Sequence, residues 1–98
     1  METMDFGGAI KALKAGQKVA RTGWNGKNMF LTLAGGYSIP KDKLRPGTHI
    51  TAEFLESRGV EEMVIVPHID MWTAQNNYVS GWLASQTDML AEDWVVID

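Results

Sequence analysis

One amphipathic helix followed by a series of short strand-like segments limits the fold more than any other feature of this sequence. Apolar residues recur at helical spacing near the amino end, at Phe6, Ala9, Ile10 and Leu13. This spacing places them on one face of a helix. Asp5 or Thr3 can cap its start, and Gly16 follows as a stop signal. The pattern therefore predicts a helix over residues 6–15.

Six later segments are predicted to be strands, because they are rich in β-branched, aromatic or alternating apolar residues. They are Lys18–Arg21, Met29–Leu33, Met63–Val66, His68–Ala74, Tyr78–Leu83 and Trp94–Ile97. Asn25-Gly26 predicts the hairpin turn between the first two. Met63–Val66 is expected to be a buried strand, and Trp94 is expected to pack in the core.

The middle of the chain carries weaker signals. Residues 35–47 are predicted to be an irregular connector, and residues 51–58 a short helix capped by Thr51. With the strands, these elements predict a single α+β domain over residues 1–98. It would hold a small antiparallel sheet with the amino-terminal amphipathic helix packed on it.

Charge and composition exclude several classes of protein. The net charge of −3 argues against binding to duplex nucleic acid, which favours a basic patch. The absence of cysteine excludes disulfides and thiolate metal sites, and two isolated histidines make a zinc site improbable. We expect no metal and no cofactor. No membrane span or signal peptide is apparent, so an intracellular protein is expected.

The aromatic content points to an oligomer or a ligand pocket. The chain has 98 residues, among them four tryptophans, three phenylalanines and two tyrosines. That is more large aromatic surface than one small core readily hides.

Two segments combine aromatic rings with polar groups. Trp82 and Trp94 bracket the first, whose polar residues include Ser85, Gln86, Thr87, Asp88 and Asp93. Tryptophan faces with amide, hydroxyl and carboxylate groups at their edges suit a nucleobase and its ribose. A capped helical turn between two core tryptophans explains the same pattern equally well. The second segment, residues 20–27, offers a guanidinium, an indole, an amide and an ammonium for a base and a diphosphate.

His68 and Asp70 lie two residues apart on a predicted strand and so share a face. They form a candidate acid–base pair, although a structural or ligand-contacting pair is the better interpretation. No other arrangement of residues supports catalysis well.

These segments together resemble the small phage proteins of the Thoeris anti-defence protein 2 family. The resemblance is carried by residues 6–16, Arg21–Lys27, His68–Met71 and, most specifically, Trp82–Trp94. Residues 35–62 show no matching motif and look like an insert relative to the shortest members.

The resemblance implies a sponge that sequesters cyclic nucleotide immune signals without cleaving them, in the cytoplasm of the infected bacterial host. The implied ligands are cyclic ADP-ribose isomers made by TIR-domain enzymes and, for some members, cyclic dinucleotides made by cGAS-like enzymes. It also implies a homotetramer with ligand pockets between subunits. The alternatives are a small phosphodiesterase or glycohydrolase that uses His68 and Asp70, and a protein-interaction module.

The matching positions receive roles from their chemistry. Trp24 or Trp82 is expected to stack on the adenine. Base or ribose edges would be bound by Asn25, Ser85 and Gln86. Arg21 and Lys27 would neutralise phosphates, and Asp70 or Asp88 would accept hydrogen bonds from ribose hydroxyls. His68 completes the predicted ligand-binding set.

Overall fold

The computed structural model describes residues 2–97, which form two compact units. We call residues 2–34 and 68–97 the sheet unit and residues 35–67 the insert unit. In chain order, the described elements are α1 (Phe6–Lys14), β1 (Lys18–Arg21), β2 (Phe30–Ala34), β3 (Tyr37–Pro40), a 3-10 turn (Lys41–Lys43), α2 (Ala52–Ser57), β4 (Glu62–Ile65), β5 (His68–Trp72), β6 (Tyr78–Val79), α3 (Gln86–Leu90) and β7 (Trp94–Ile97). None of the helices in these residues is long and apolar enough to cross a membrane.

The sheet unit has the predicted α+β architecture. Its five strands are antiparallel to their neighbours in the order β6-β5-β2-β1-β7. Helix α1 packs on β1, β2 and β7. The side chains of Leu13, Val19, Leu31 and Trp94 are almost completely buried and form the centre of the core. The predicted helix, its packing on the sheet and the core position of Trp94 are therefore confirmed.

Local signals set the limits of α1. The carboxylate of Asp5 accepts a hydrogen bond from the Gly8 N–H at 2.8 Å, which satisfies a free donor of the first turn. The chain leaves the helix at Gly16, whose φ of 86° is accessible to glycine at little cost. Asp5, and not Thr3, is the cap.

The predicted hairpin between the first two strands is confirmed, because β1 and β2 are consecutive and pair antiparallel. Its loop is longer than a tight Asn-Gly turn, which needs positive φ at both central residues. Residues 22–29 join the two strands, and the residue with positive φ in this loop is Asn28. One strand prediction in the sheet unit is corrected. The predicted strand Tyr78–Leu83 shortens to β6, because Gly81 has a φ of 88° and gives its N–H to the Asp70 side chain.

The insert unit differs more from the prediction. Part of the expected connector is β3, which pairs antiparallel with β4. The strand near Met63–Val66 is not buried, since Val64 and Val66 are 63% and 66% exposed. A two-stranded sheet with one covered face exposes every second side chain. Thr51 caps α2 as predicted, accepting a hydrogen bond from the Phe54 N–H at 3.1 Å.

Leu31 and Leu33 provide a matched test of the core, because both lie on β2 and differ mainly in burial. Leu31 is fully buried, whereas Leu33 is 38% exposed. Leu31→Ala should lower the free energy of unfolding by about 2–5 kcal/mol, and Leu33→Ala by about 1 kcal/mol or less. Urea unfolding at one fixed protein concentration measures both. Equal losses in the two variants would contradict the assignment of the core.

Candidate functional site

The segment between Trp82 and Trp94 folds into the short helix α3 with a reciprocal cap at its start. The Ser85 hydroxyl accepts a hydrogen bond from the Asp88 N–H at 3.0 Å, and the Asp88 carboxylate accepts one from the Ser85 N–H at 3.3 Å. This capping box satisfies two donors that a helix end otherwise leaves free. A helix of five residues has little intrinsic stability, so its position depends on such contacts.

Arg21, at the end of β1, contacts this segment at two places, in α3 and immediately before β7. Its Nη1 donates to Oδ1 of Asp88 and its Nε donates to Oδ1 of Asp93, each at 2.8 Å. The side chains of Arg21, Asp88 and Asp93 are only 15%, 14% and 28% exposed. Partial burial reduces solvent screening, so these pairs stabilise the fold more than exposed ion pairs do. We call Arg21, Asp88 and Asp93 the triad, which carries a net charge of −1.

The hydrogen bonds of the triad control its protonation. Burial alone would raise the pKa of Asp88, but hydrogen bonds from Arg21, Trp24 and Ser85 outweigh it and lower that pKa. The hydrogen bond from Arg21 lowers the pKa of Asp93, with a further contribution from the Gly23 N–H. Both carboxylates are therefore ionised at neutral pH.

Three tryptophans meet beside this triad. Trp94 is fully buried, and its Nε1 donates to the Asp88 carbonyl oxygen at 3.0 Å. Trp24 and Trp82 pack edge-on against Trp94, with ring centroids 5.4 and 6.2 Å from its centroid. Trp24 also donates its Nε1–H to Oδ1 of Asp88 at 3.1 Å. The half-buried Trp24 and Trp82 thus support the fold and keep part of their surface accessible.

The loop between β1 and β2 is held against the same carboxylates. The Gly23 N–H donates to Oδ2 of Asp93 at 2.7 Å, and the Thr22 N–H donates to the Asp93 carbonyl oxygen at 3.1 Å. A Cβ atom at Gly23 would lie 2.7 Å from Oδ2 of Asp93, so any larger residue at this position would displace that carboxylate. Asn25 and Lys27 follow in the loop with exposed side chains.

A second polar cluster lies on β5. The Asp70 side chain is buried and accepts hydrogen bonds from the Tyr78 hydroxyl at 2.5 Å and the Gly81 N–H at 2.7 Å. Nε2 of His68 lies 3.3 Å from Oδ1 of Asp70. Burial alone would raise the pKa of Asp70, but the hydrogen bonds from Tyr78 and Gly81 outweigh it and lower that pKa. The cluster fixes residues 78–81 beside β5, immediately before Trp82.

The predicted site residues thus fall into three sets. Arg21, Trp24, Ser85 and Asp88 are joined by hydrogen bonds, and Trp82 packs against Trp24 with ring centroids 6.5 Å apart. His68 and Asp70 belong to the second cluster, which is linked to the first through the Trp82 N–H and the Ile69 carbonyl oxygen at 2.6 Å. Asn25, Lys27 and Gln86 have exposed side chains on the β1–β2 loop and α3.

Intramolecular contacts occupy several groups that were expected to bind a ligand. Arg21 already faces two carboxylates, and both oxygens of Asp88 and of Asp70 accept hydrogen bonds from the protein. These residues position their neighbours. Lys27 is a cation of the β1–β2 loop for which the structure shows no salt bridge within residues 2–97.

Sequence reasoning left three residues out of the site. Asp93 holds Arg21 and the β1–β2 loop, Gly23 permits the close approach, and Tyr78 donates to Asp70. Arg21 and Asp93 are 72 residues apart, so no local pattern connects them. Gly81 offered a usable local signal for the end of β6, because glycine in a predicted strand marks an interruption.

Replacement of Arg21 should change how the stability of the fold depends on pH, and this change tests the role of the triad. A carboxylate with a lowered folded-state pKa stabilises the fold above its ordinary pKa of 3.8, and this stability is lost as the pH falls through the folded-state value. Arg21→Met should lower the free energy of unfolding at pH 7 by about 2 kcal/mol, because it leaves two partly buried carboxylates unpaired. It should also flatten the loss of stability below pH 4.

Urea unfolding between pH 3 and pH 7 measures both effects. Lys14→Met removes a charge from an exposed position on α1 and serves as the control. An Arg21→Met profile that matches the control at every pH would show that the triad does not hold the fold.

Comparison with known proteins places this architecture in a family. Residues 4–97 match the model of the Thoeris anti-defense 2-like domain, a range that includes the whole insert unit. The chain is also 39% identical over 94 residues to Thoeris anti-defense 2 of Bacillus phage SP01, an alignment that covers 96% of this chain and 94% of that relative. The resemblance seen in the sequence motifs is confirmed over nearly the full length, and the chain belongs to the Thoeris anti-defense 2-like family.

Proposed function

We propose that this protein is an anti-defence sponge, which binds cyclic nucleotide immune signals in the cytoplasm of the infected host and does not cleave them. Family membership supports the anti-defence role. The ligands would be cyclic ADP-ribose isomers from TIR-domain enzymes and, as a second class, cyclic dinucleotides from cGAS-like enzymes. No cofactor takes part.

The observation that carries the proposal is the pair of half-buried indoles, Trp24 and Trp82, between two exposed polar segments. An indole held by its own fold offers a rigid face to a purine at low entropic cost. The amides of Asn25 and Gln86 suit base or ribose edges. Lys27 supplies a positive charge for phosphate.

The ionised state of the carboxylates supports capture of an intact ligand over its hydrolysis. Cleavage of a phosphodiester or glycosidic bond commonly uses a protonated group as general acid. Asp70, Asp88 and Asp93 all have lowered pKa values and accept hydrogen bonds from the protein. They therefore remain ionised at neutral pH and lack a proton to donate. A hydrolytic enzyme could use the His68–Asp70 contact, so hydrolysis of the ligand is the alternative that an experiment has to exclude.

Assembly into a homotetramer, with pockets completed by a neighbouring subunit, is the second part of the proposal. Leu83 and Leu90 flank the start and end of α3 and are 92% and 77% exposed. The edge strand β6 exposes Tyr78 and Val79 by 50% and 43%. Large exposed apolar side chains, on an edge strand in particular, are features of association surfaces. Because Leu83 is adjacent to Trp82, a subunit that covers Leu83 would border the site.

Calorimetric titration with a cyclic ADP-ribose isomer tests ligand binding through the exposed residues. Lys27→Ala should weaken binding by about 1.5–3 kcal/mol, because it removes a charge-assisted hydrogen bond. Asn25→Ala and Gln86→Ala should each cost about 0.5–1.5 kcal/mol. Their exposed positions spare the fold, whereas truncation of Trp24 would also disturb Asp88 and Trp94.

Gln75→Ala, in the exposed turn after β5, is the matched control and should bind as the unmodified protein does. Unchanged affinity in all three site variants would place the ligand elsewhere. Absence of binding to any cyclic nucleotide would favour the protein-interaction module instead.

Leu83→Asp tests assembly. Light scattering of the unmodified protein should give a mass near four times the 10.9 kDa of one chain. The variant should give a lower mass together with weaker ligand binding, because a buried aspartate in a subunit interface is costly. Val64→Asp, on the exposed face of β4, is the control and should keep the full mass. A monomeric unmodified protein, or dissociation by the control alone, would contradict this interface.

A further inference from the structure

The insert unit contains a cavity of about 460 Å³ between the β3–β4 ribbon and the loop that precedes α2. This volume lies within the range of sites for small organic molecules. None of its lining residues belongs to the predicted ligand-binding set, so the cavity has no role in the function proposed above.

The walls of the cavity are mainly aliphatic. Ile39 and Met63 lie directly opposite each other on β3 and β4, and Leu44 and Ile50 from the loop also line the space. All four side chains are only partly buried by the protein itself. A ligand with an apolar body would remove more of this surface from water, at roughly 25 cal/mol per Å².

The rim of the cavity is cationic. Lys43, Arg45 and His49 line it, and no carboxylate among residues 2–97 does. Within residues 2–97 the structure shows no salt bridge for Lys43 or Arg45. The neighbouring Lys41 differs, since its ammonium lies 3.3 Å from Glu56 and 3.4 Å from Glu61. Two uncompensated cations beside an apolar concavity attract an organic anion.

The loop that carries these cations is held in shape by hydrogen bonds of its own. The Thr48 hydroxyl lies 2.8 Å from the Ile50 carbonyl oxygen and 3.2 Å from the Arg45 carbonyl oxygen. Gly47, with a φ of 86°, permits the reversal between Arg45 and Thr48. A loop closed by its own hydrogen bonds loses less entropy on binding.

We propose that this cavity binds a small amphipathic organic anion. Its apolar body would pack between Ile39, Met63 and the loop, and its carboxylate, sulfonate or phosphate would lie against Lys43 and Arg45. This site goes beyond the capture of cyclic nucleotides and uses residues of the insert unit alone.

A matched pair of fluorescent probes tests the proposal on the full-length protein. Anilinonaphthalene sulfonate carries an anionic group on an aromatic body, and phenylnaphthylamine has the same rings without the charge. The double variant Lys43→Gln/Arg45→Gln should weaken sulfonate binding at least tenfold and leave binding of the neutral probe unchanged. Both substitutions are at exposed side chains, and circular dichroism on heating checks that the fold is kept.

The control variant Lys11→Gln/Lys14→Gln removes two exposed charges from α1 and should leave the affinity for the sulfonate unchanged. Displacement by octanoate and by octyl phosphate, with octanol as the neutral comparison, then distinguishes a carboxylate from a phosphate head group. Both anions should displace the probe better than octanol. Equal sulfonate affinity in the unmodified protein and the Lys43/Arg45 variant, or an equal loss in the control, would overturn the proposal.

Discussion

The structure of the sheet unit depends on the contact between Arg21 and the two carboxylates of Asp88 and Asp93. Arg21 lies at the end of β1, whereas the aspartates lie on either side of the turn from α3 into β7. One planar guanidinium thereby connects a strand of the sheet to a helix too short to be stable alone. Each carboxylate then positions a further group, since Asp88 accepts from Trp24 and Asp93 accepts from Gly23.

This arrangement separates the groups that hold the site from the groups that remain for a ligand. The charge of Arg21 is compensated, and the oxygens of Asp88 and Asp70 already accept hydrogen bonds from the protein. The exposed side chains of Asn25, Lys27 and Gln86 extend from the framework so formed. The preorganised part of the proposed site is the pair of indoles, Trp24 and Trp82, because the fold already packs them against Trp94 and little entropy would be lost on stacking. The arrangement does not favour general acid catalysis, because the nearby carboxylates remain ionised.

Features encoded by neighbouring residues could be predicted from the sequence. The spacing of Phe6 to Leu13 and the cap at Asp5 are sufficient to predict α1, and the β-branched residues after Trp94 predict β7. Ser85 and Asp88 lie three residues apart, and their reciprocal cap accounts for the polar groups between two tryptophans. The capped-helix interpretation of that segment is therefore confirmed, whereas its use as a ligand site stays a prediction.

Long-range features could not be predicted in this way. The partnership of Arg21 with Asp93 spans 72 residues, and it gives Arg21 a positioning role that no local pattern indicates. The β3–β4 pairing also has no local signal, because Tyr37–Pro40 contains a proline and lies among glycines and lysines. The side chains of β4 are exposed because its sheet has only two described strands. The amino-acid composition of one strand does not indicate how many strands its sheet contains.

Recovery of the ligand after binding tests the central claim most directly, which is capture without chemical change. The protein is saturated with a cyclic ADP-ribose isomer, freed of excess ligand and denatured by heat, and the released compound is identified by mass spectrometry and chromatography. The account predicts stoichiometric recovery of the intact cyclic molecule, however long the complex is held before denaturation. A linearised or hydrolysed product that increases with incubation time would contradict it and would assign the His68–Asp70 pair to an enzyme.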